Sequence, residues 1–371
     1  MNKTKNVLLF GAGNCGRRHF HDIEDDILCF VDNDPIKQGS EIYGKTIIAP
    51  EEINNFKFDS IIIASIYESE IKRQLIEMGL GDKISVPFTH KLASETLPVN
   101  FNDYDCSKEK IHLDARYALS IATGYIKKIH GGIKAIKNKS ILELGPGINF
   151  GTALILLCWG AKKVAVSDRF LAQYNDNYHS QVYQEIVNLL TVDYPNINTS
   201  PITDCIKNIS HKTQGLYTIQ SSLEKLSSIF PNEFDITLSN AVFEHLYNPM
   251  SAFESLYDCM TDGAIGHHQV DFRDHRNFDK PLEFLLLDEL SFHALMQDAS
   301  CEFGNRIRPY QMQYMFEMVG FKDISVDINM TANNEYLSNF LVRLRPRKSS
   351  NFSEIDAEHL KPISGNFLIH K

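Results

Sequence analysis

Side chains that could accept or donate a proton are concentrated in the run HHQVDFRDH, residues 267–275. The apolar residues before it predict a strand that ends at Val270, and open α/β sheets bind ligands beyond the carboxyl ends of their strands. Packing alone does not require several titratable groups at such a place. We therefore predict His268 as a general base that Asp271 orients, with His267 as the alternative if the strand presents its other face.

Two further histidines are candidates for the general base, and a metal ion is the alternative to a base. His275 closes the run, and His245 lies in a short helix predicted after the strand FDITLSN, where a histidine is often a packed residue. A divalent ion held by a histidine with Asp271 and Asp274 is the alternative, since a metal also acidifies a bound hydroxyl. We favour the organic base and predict no metal, with His245 as a secondary candidate.

A glycine-rich turn follows the first apolar strand of the chain. NVLLF leads into GAGNCG, in which Gly11 permits a tight turn, Gly13 lets a phosphate approach the backbone, and Gly16 lets the next helix pack closely. Asp32 ends the following strand, where a carboxylate can bind a ribose. This segment predicts a site for a nucleotide or a nucleotide-linked sugar.

A second turn of this kind begins near the middle of the chain. The strand SILEL contains Glu143 and is followed by GPGINFG, with Gly145 and Gly147, and then by an apolar helix. The next strand ends in Asp168, at about the spacing expected of a βαβ nucleotide site. The acidic residue inside the strand end and the proline between the glycines fit a pyrophosphate loop poorly.

Strands and helices alternate after both turns, which predicts an α/β protein with two Rossmann-like, doubly wound domains. The length of 371 residues suits two cores. We place the first domain at residues 1–99, a polar linker at 100–111, the second domain at 112–346 and a tail at 347–371. The second domain opens on a helix whose apolar residues, Tyr117 among them, recur every four positions.

The second domain resembles the class I S-adenosylmethionine-dependent methyltransferases. ELGPG matches their first motif, YTIQSSLEKLSSIF their third-strand region, and FDITLSNAVFEHLYNP their fourth motif, in the family's order. The resemblance implies a seven-stranded sheet and S-adenosylmethionine as cofactor. It also implies that Glu143 orients the loop and attracts the sulfonium or amino group, that Gln220 and Ser221 flank the adenine, and that Asn240 ends the fourth strand.

Two further resemblances concern the substrate. FGAGNCGRR, CFVDNDPIKQGSEIYGKTI and DSIIIAS are similar to the small Rossmann domain of CapD-type nucleotide-sugar enzymes and PglD-type sugar acetyltransferases. HHQVDFRDHRNFDKPLEFL and GNRIRPYQMQYMFEMVGF resemble a methyltransferase subgroup from bacterial surface-glycan gene sets. They imply O-methylation of a sugar or a nucleotide-linked sugar. Asn305, Arg306 and Arg308 precede a predicted helix, and the two arginines either bind a phosphate or acid on the acceptor or pair with surface carboxylates.

The composition of the chain excludes some classes of substrate and binding partner. The net charge of −10 argues against a nucleic-acid substrate, and no apolar run reaches membrane-spanning length. The seven cysteines form no C-x-x-C pair, so we expect reduced thiols in a cytoplasmic protein. We expect a small-molecule or glycan acceptor, and a homo-oligomer or docking to other glycan enzymes. Two alternatives remain: a nicotinamide-dependent oxidoreductase using Gly11 to Gly16, and a non-catalytic scaffold.

Overall fold

The computed structural model of the protein describes residues 6–13, 20, 27–64, 68–85, 104–289, 291–292 and 305–371. The chain divides into two compact units, Met1–Thr96 and Leu97–Lys371. Gly16 lies outside the described residues. Among the described residues, no helix combines the length and the apolar character needed to cross a bilayer.

The N-terminal unit is built on one sheet with the strand order β3-β4-β2-β1-β5-β6. Apart from the antiparallel pair β3 and β4, neighbouring strands of this sheet run parallel. The strands are β1 (Val7–Phe10), β2 (Ile27–Val31), β3 (Glu41–Ile42), β4 (Lys45–Ile48), β5 (Ser60–Ile63) and β6 (Ile84–Ser85), and helix α1 spans Glu68–Glu77.

The C-terminal unit carries a seven-stranded sheet with the order β12-β13-β11-β10-β7-β8-β9. Strand β13 is antiparallel to both neighbours, and the other adjacent strands are parallel. The strands are β7 (Ser140–Leu144), β8 (Lys163–Asp168), β9 (Leu216–Gln220), β10 (Phe234–Asn240), β11 (Met260–Asp271), β12 (Lys322–Thr331) and β13 (Pro362–His370).

Helices cover this sheet and bury its apolar strands. They are α2 (Lys108–Lys128), α3 (Ile133–Ile136), α4 (Gly151–Cys158), α5 (Gln181–Asp193), α6 (Ser200–Asn208), α7 (Pro249–Cys259), α8 (Pro309–Val319), α9 (Asn334–Leu344) and α10 (Ala357–Leu360). Every residue of α4 is buried, because this helix lies inside one of the hydrophobic clusters beside the central strands.

The predicted tail at 347–371 is wrong, because β13 is an inner strand of the sheet between β11 and β12. Phe367 and Ile369 are fully buried and alternate along the strand, as a half-buried strand requires. The predicted linker also ends too late, since α2 already begins at Lys108. Ser107 caps that helix by accepting a hydrogen bond from the backbone N–H of Lys110, a polar side chain typical of a helix start.

Candidate active site

The turn after β7 forms the centre of the candidate cofactor site. Gly145 and Gly147 have φ values of 65° and 73°, which favour glycine because a side chain is strained there. Glu143 is 3% exposed, and its Oε2 has no hydrogen-bond partner. Burial raises the pKa of Glu143 to about 8. A buried carboxylate without a partner is costly, and a cationic ligand would compensate it.

The ends of the neighbouring strands bring the other predicted donor-site residues to this turn. Gly145 donates a backbone hydrogen bond of 2.9 Å to Ser167, the residue before Asp168 at the end of β8. Asp168 Oδ1 accepts from the backbone N–H of Phe170, and burial raises the pKa of Asp168. The backbone N–H of Ser221, which follows β9, donates a hydrogen bond to the Asp168 carbonyl. This contact fixes the end of β9 against β8.

Asn240 ends β10 on the other side of the turn and donates a hydrogen bond of 3.1 Å to the Tyr117 hydroxyl. Tyr117 lies in α2, as its spacing predicted, and its side chain is 60% exposed. An exposed aromatic ring beside the end of β10 is available to a ligand at this edge. The sequence offers no signal for this contact, because Tyr117 and Asn240 are brought together only by the fold.

Buried polar residues that no sequence motif indicated hold the glycine turn in place. His179 is fully buried, accepts from the Asn175 backbone N–H through Nδ1, and donates through Nε2 to the Ile148 carbonyl. Asn149 accepts from the Gly151 backbone N–H and donates to the Tyr178 hydroxyl. These contacts position the turn.

The predicted general base His268 is wrong. His268 is fully buried, with Nδ1 2.8 Å from the Ser239 hydroxyl and Nε2 3.2 Å from that of Thr237, and Phe243 packs on its ring. Burial holds the pKa of His268 well below its usual range. Asp271 does not orient this ring. His268 therefore stabilises the core between β10 and β11.

The alternative base His267 faces the opposite side of the sheet, as the alternation along a strand predicts. It is 4% exposed and packs edge-on against Tyr125 of α2, with the ring centroids 5.8 Å apart. Burial lowers the pKa of His267 to about 4, and Lys128 adds to this. Neither face of β11 is open to solvent at this position, so His267 is also excluded as the base.

The aspartates of the run are used in ion pairs. Asp271 Oδ2 lies 2.6 Å from a guanidinium nitrogen of Arg273, and Asp274 Oδ2 lies 2.5 Å from one of Arg276. Burial raises the pKa of Asp271, but the Arg273 guanidinium outweighs it and holds that pKa below its usual range. The predicted alternative metal set of Asp271 and Asp274 is therefore not assembled.

Beyond β10 and β11, the structure brings together Glu244, His245 and His275. One ligand atom from each lies within 4.8 Å of the other two. The rings of His245 and His275 meet edge-on at 5.1 Å, and His275 Nε2 lies 3.8 Å from Asp271 Oδ2. Glu244 is 8% exposed, and burial raises its pKa to about 8. Of the predicted histidines, only His245 and His275 lie at this edge.

The polar cluster lies next to the glycine turn. A Cβ built on Gly145 would be 2.4 Å from Val242 Cγ2, two residues before Glu244. A small pocket at the cluster is lined by side chains that include Glu244, Asp271 and His275. The candidate cofactor turn and the candidate acceptor pocket are therefore neighbours.

Asn305, Arg306 and Arg308 all have structural contacts. Arg306 donates to the Phe284 and Leu287 carbonyls and pairs with Glu289 at 2.5 Å. Arg308 is fully buried and donates to the carbonyls of Phe272, Leu360 and Pro362. Neither arginine is free to bind a phosphate or acid on an acceptor.

In the N-terminal unit, Gly11 has a φ of 119°, and a Cβ on Gly13 would have no atom within 4 Å. Asp32 is engaged within the protein. Its Oδ2 accepts a hydrogen bond of 2.7 Å from the Ala12 backbone N–H and lies 3.3 Å from Lys37 Nζ. The Asp32 carboxylate, which was predicted to bind a ribose, therefore connects the glycine turn to the end of β2 through its hydrogen bond with Ala12.

The seven-stranded mixed sheet, with its glycine turn after a central strand, is the Rossmann-like architecture typical of class I S-adenosylmethionine-dependent methyltransferases. The predicted fold class is confirmed. Residues 3–85 match a family model described as C2185-like, N-terminal. No curated protein matches the chain.

Several solved methyltransferases are similar to the chain. An S-adenosylmethionine-dependent methyltransferase from Mesorhizobium loti is 11% identical, over 65% of this chain and 96% of that one, with a TM-score of 0.35. Phosphoethanolamine N-methyltransferase 2 of Haemonchus contortus, in complex with S-adenosyl-L-methionine, is 12% identical, over 99% and 94%, with a TM-score of 0.36.

Proposed function

We propose that the C-terminal unit transfers a methyl group from S-adenosylmethionine to a hydroxyl of a sugar or nucleotide-linked sugar. The observation that carries the proposal is the buried Glu143 carboxyl, whose Oε2 has no partner, beside a turn in which Gly145 and Gly147 have positive φ. This arrangement fits a cationic ligand that approaches the backbone closely.

The residues of the turn bind and orient the donor. When bound, S-adenosylmethionine supplies a methyl group on positively charged sulfur. Glu143 attracts the positive charge of the ligand, and Asp168 accepts hydrogen bonds from ribose hydroxyls at the end of β8. Gln220 and Ser221 would flank the adenine, since Gln220 pairs with Asp168 in the register of β8 and β9. Asn240 lies at the end of β10, on the side of the turn opposite Asp168.

The acceptor would enter at the pocket beside Glu244, His245 and His275. In-line displacement needs the acceptor oxygen aligned with the methyl group, and it needs a group that makes this hydroxyl acidic. Val242 connects the pocket to the glycine turn along the chain, which supports this placement. The sugar part of the proposal rests on the resemblance of residues 267–285 and 304–321 to surface-glycan methyltransferases.

We further propose that the N-terminal unit binds a nucleotide or a nucleotide-linked sugar. The positive φ of Gly11 and the open space beside Gly13 support it, since both suit a phosphate close to the backbone. The engaged Asp32 carboxylate speaks against the ribose contact of a nicotinamide dehydrogenase. We therefore propose no hydride-transfer function.

The test is transfer of isotope-labelled methyl from S-adenosylmethionine to a panel of sugars and nucleotide-sugars, followed by mass spectrometry. We expect label on a hydroxyl oxygen with the wild-type protein and strongly reduced label with Asp168→Ala. Label on an amine would overturn the O-methylation proposal but not methyl transfer. Absence of label from every acceptor, together with no binding of S-adenosylhomocysteine, would overturn both.

A further inference from the structure

Three side chains of metal-binding type converge beyond the ends of β10 and β11. Glu244 and His245 lie on the 3-10 turn Phe243–His245, and His275 lies on the segment after β11. A possible ligand atom from each lies within 4.8 Å of the others. Two imidazoles and one carboxylate at this separation can coordinate one ion after small rotations about their side-chain bonds.

The turn that carries two of these residues is fixed in place. Asn305 Nδ2 donates to the Phe243 carbonyl at 2.8 Å and to the Leu246 carbonyl at 3.0 Å, and its backbone N–H donates to the Glu244 carbonyl. A metal site needs ligands whose positions are set before the ion binds. Asn305 therefore has a role in holding Glu244 and His245 that its sequence position alone did not indicate.

The polar atoms that face the cluster are incompletely satisfied. Glu244 is 8% exposed; its Oε1 accepts from the Asp271 backbone N–H at 3.3 Å, and its Oε2 has no partner. His275 Nε2 is buried and forms no hydrogen bond. The adjacent cation, Arg273, is bound to both carboxylate oxygens of Asp271. Buried polar atoms without partners call for an explanation such as an ion.

We propose that Glu244, His245 and His275 bind one divalent transition-metal ion, with zinc as the best-suited ion. Two histidines and one glutamate form a donor set of catalytic zinc sites, which leave a coordination position open. Magnesium and calcium prefer oxygen ligands alone, so the imidazoles favour a transition metal. The adjoining pocket, which Asp271 and Phe284 also line, has space for about one water molecule beside the cluster, where an oxygen ligand could occupy the open position.

The catalytic role of this ion rests on the proposed function, whereas its binding does not. As a Lewis acid, the ion would lower the pKa of the acceptor hydroxyl. The hydroxyl proton passes to water, an oxygen lone pair forms the new C–O bond, and the electron pair of the S–C bond remains on sulfur. His275 would then be a metal ligand and not the proton acceptor.

The test is calorimetric titration of the full-length protein, stripped with a chelator and dialysed, with Zn²⁺ and separately with Mg²⁺. Co²⁺ absorption reports the coordination geometry. We expect one Zn²⁺ per chain, little Mg²⁺ binding, and a tetrahedral or five-coordinate Co²⁺ spectrum. Glu244→Gln and His275→Ala should each weaken Zn²⁺ binding about 100-fold or more, since outer-shell changes alone cost about 10–100-fold.

His112→Ala and Glu185→Gln are matched controls, because these residues form a hydrogen-bonded histidine–carboxylate pair on the surface of the same unit. They should bind Zn²⁺ as the wild type does, and circular dichroism should show every variant folded. Equal Zn²⁺ affinity in the wild type and the cluster variants would overturn the proposal. Zn²⁺ binding without binding of S-adenosylhomocysteine would support the metal site and count against the proposed function.

Discussion

Val242 occupies the space that any side chain at position 145 would need. A Cβ on Gly145 would lie 2.4 Å from Val242 Cγ2 and 3.8 Å from Asp168 Oδ2. The segment that leads to Glu244 therefore packs on the glycine turn, and the proposed donor and acceptor sites share this contact.

Gly145→Ala should abolish binding of S-adenosylhomocysteine, because the added methyl group displaces Val242 and the φ of 65° is unfavourable for alanine. Gly147→Ala is the matched control. Its φ of 73° gives similar backbone strain, about 1–2 kcal/mol, but its Cβ would meet no atom within 4 Å. Calorimetry and thermal unfolding of both variants measure the difference. Wild-type affinity in Gly145→Ala would show that the contact with Val242 does not matter.

Binding of S-adenosylmethionine should tighten as the pH rises toward 8 and then level off. Burial raises the pKa of Glu143 to about 8, so the carboxyl is largely protonated at neutral pH, whereas a cationic ligand favours the carboxylate. Below that pKa, affinity should rise by up to about tenfold per pH unit, with release of one proton. Calorimetry in buffers of different ionisation enthalpy measures this. Glu143→Gln should lose the pH dependence, and a wild-type protein with flat affinity from pH 6 to pH 9 would contradict this role of Glu143.

Glu143→Gln should also stabilise the protein without ligand at alkaline pH. Because burial raises the folded-state pKa of Glu143, its neutral form fits the fold, and stability falls as the pH rises from the unfolded-state value through about 8. The glutamine removes this loss, of the order of a few kcal/mol. Thermal unfolding at pH 6 and pH 9 should show a smaller drop for the variant than for the wild type. An equal drop would indicate that the Glu143 carboxyl is hydrated.

His268→Ala should reduce stability more than catalysis. The change leaves the Thr237 and Ser239 hydroxyls without their partner and opens a cavity in the core, for a loss of about 2–4 kcal/mol. His275→Ala should instead lower turnover by about 100-fold or more at nearly unchanged stability, because the proposed metal ion loses a ligand. Denaturant unfolding and steady-state rates separate the two effects. A folded His268→Ala protein with a lost kcat and a normal KM would return His268 to the catalytic role.

The error at His268 has a physical cause. The sequence predicts the strand and the alternation of His267 and His268, and the structure agrees on both. In a central strand of a sheet covered by helices on both sides, however, neither face is open to solvent. Only residues beyond the strand end reach a ligand, and His275 lies there. Hydrophobic periodicity locates strands but does not reveal how many layers cover them.

The donor site was more accessible to prediction than the acceptor site. The glycine turn, Glu143 and Asp168 belong to one βαβ unit, and local spacing determines their arrangement. The cluster of Glu244 and His275 joins distant segments, which no local pattern predicts. Strand β13 was missed although Phe367 and Ile369 alternate, because its partners β11 and β12 come earlier in the chain and no local pattern shows that pairing.

Gly13→Val tests the N-terminal unit. If this unit binds a nucleotide or nucleotide-sugar, the valine should fill the open space at the turn and abolish that ligand's thermal shift. Affinity for S-adenosylhomocysteine should not change, and Gly39→Ala, at a turn outside the proposed site, is the control. The measurement is a thermal-shift panel of nucleotides and nucleotide-sugars. No shift with any of them in the wild type would favour a docking role for this unit.

The most direct test of the central claim is calorimetric titration of the full-length protein with S-adenosylhomocysteine. The full chain is required because β13 is an inner strand of the sheet. We predict one site per chain, and about 10–100-fold weaker binding in Asp168→Ala, because two ribose hydroxyls lose a charged acceptor worth about 1.5–3 kcal/mol. A folded wild-type protein that does not bind the ligand, or an Asp168→Ala variant that binds it equally well, would contradict the assignment of this turn as a methyl-donor site.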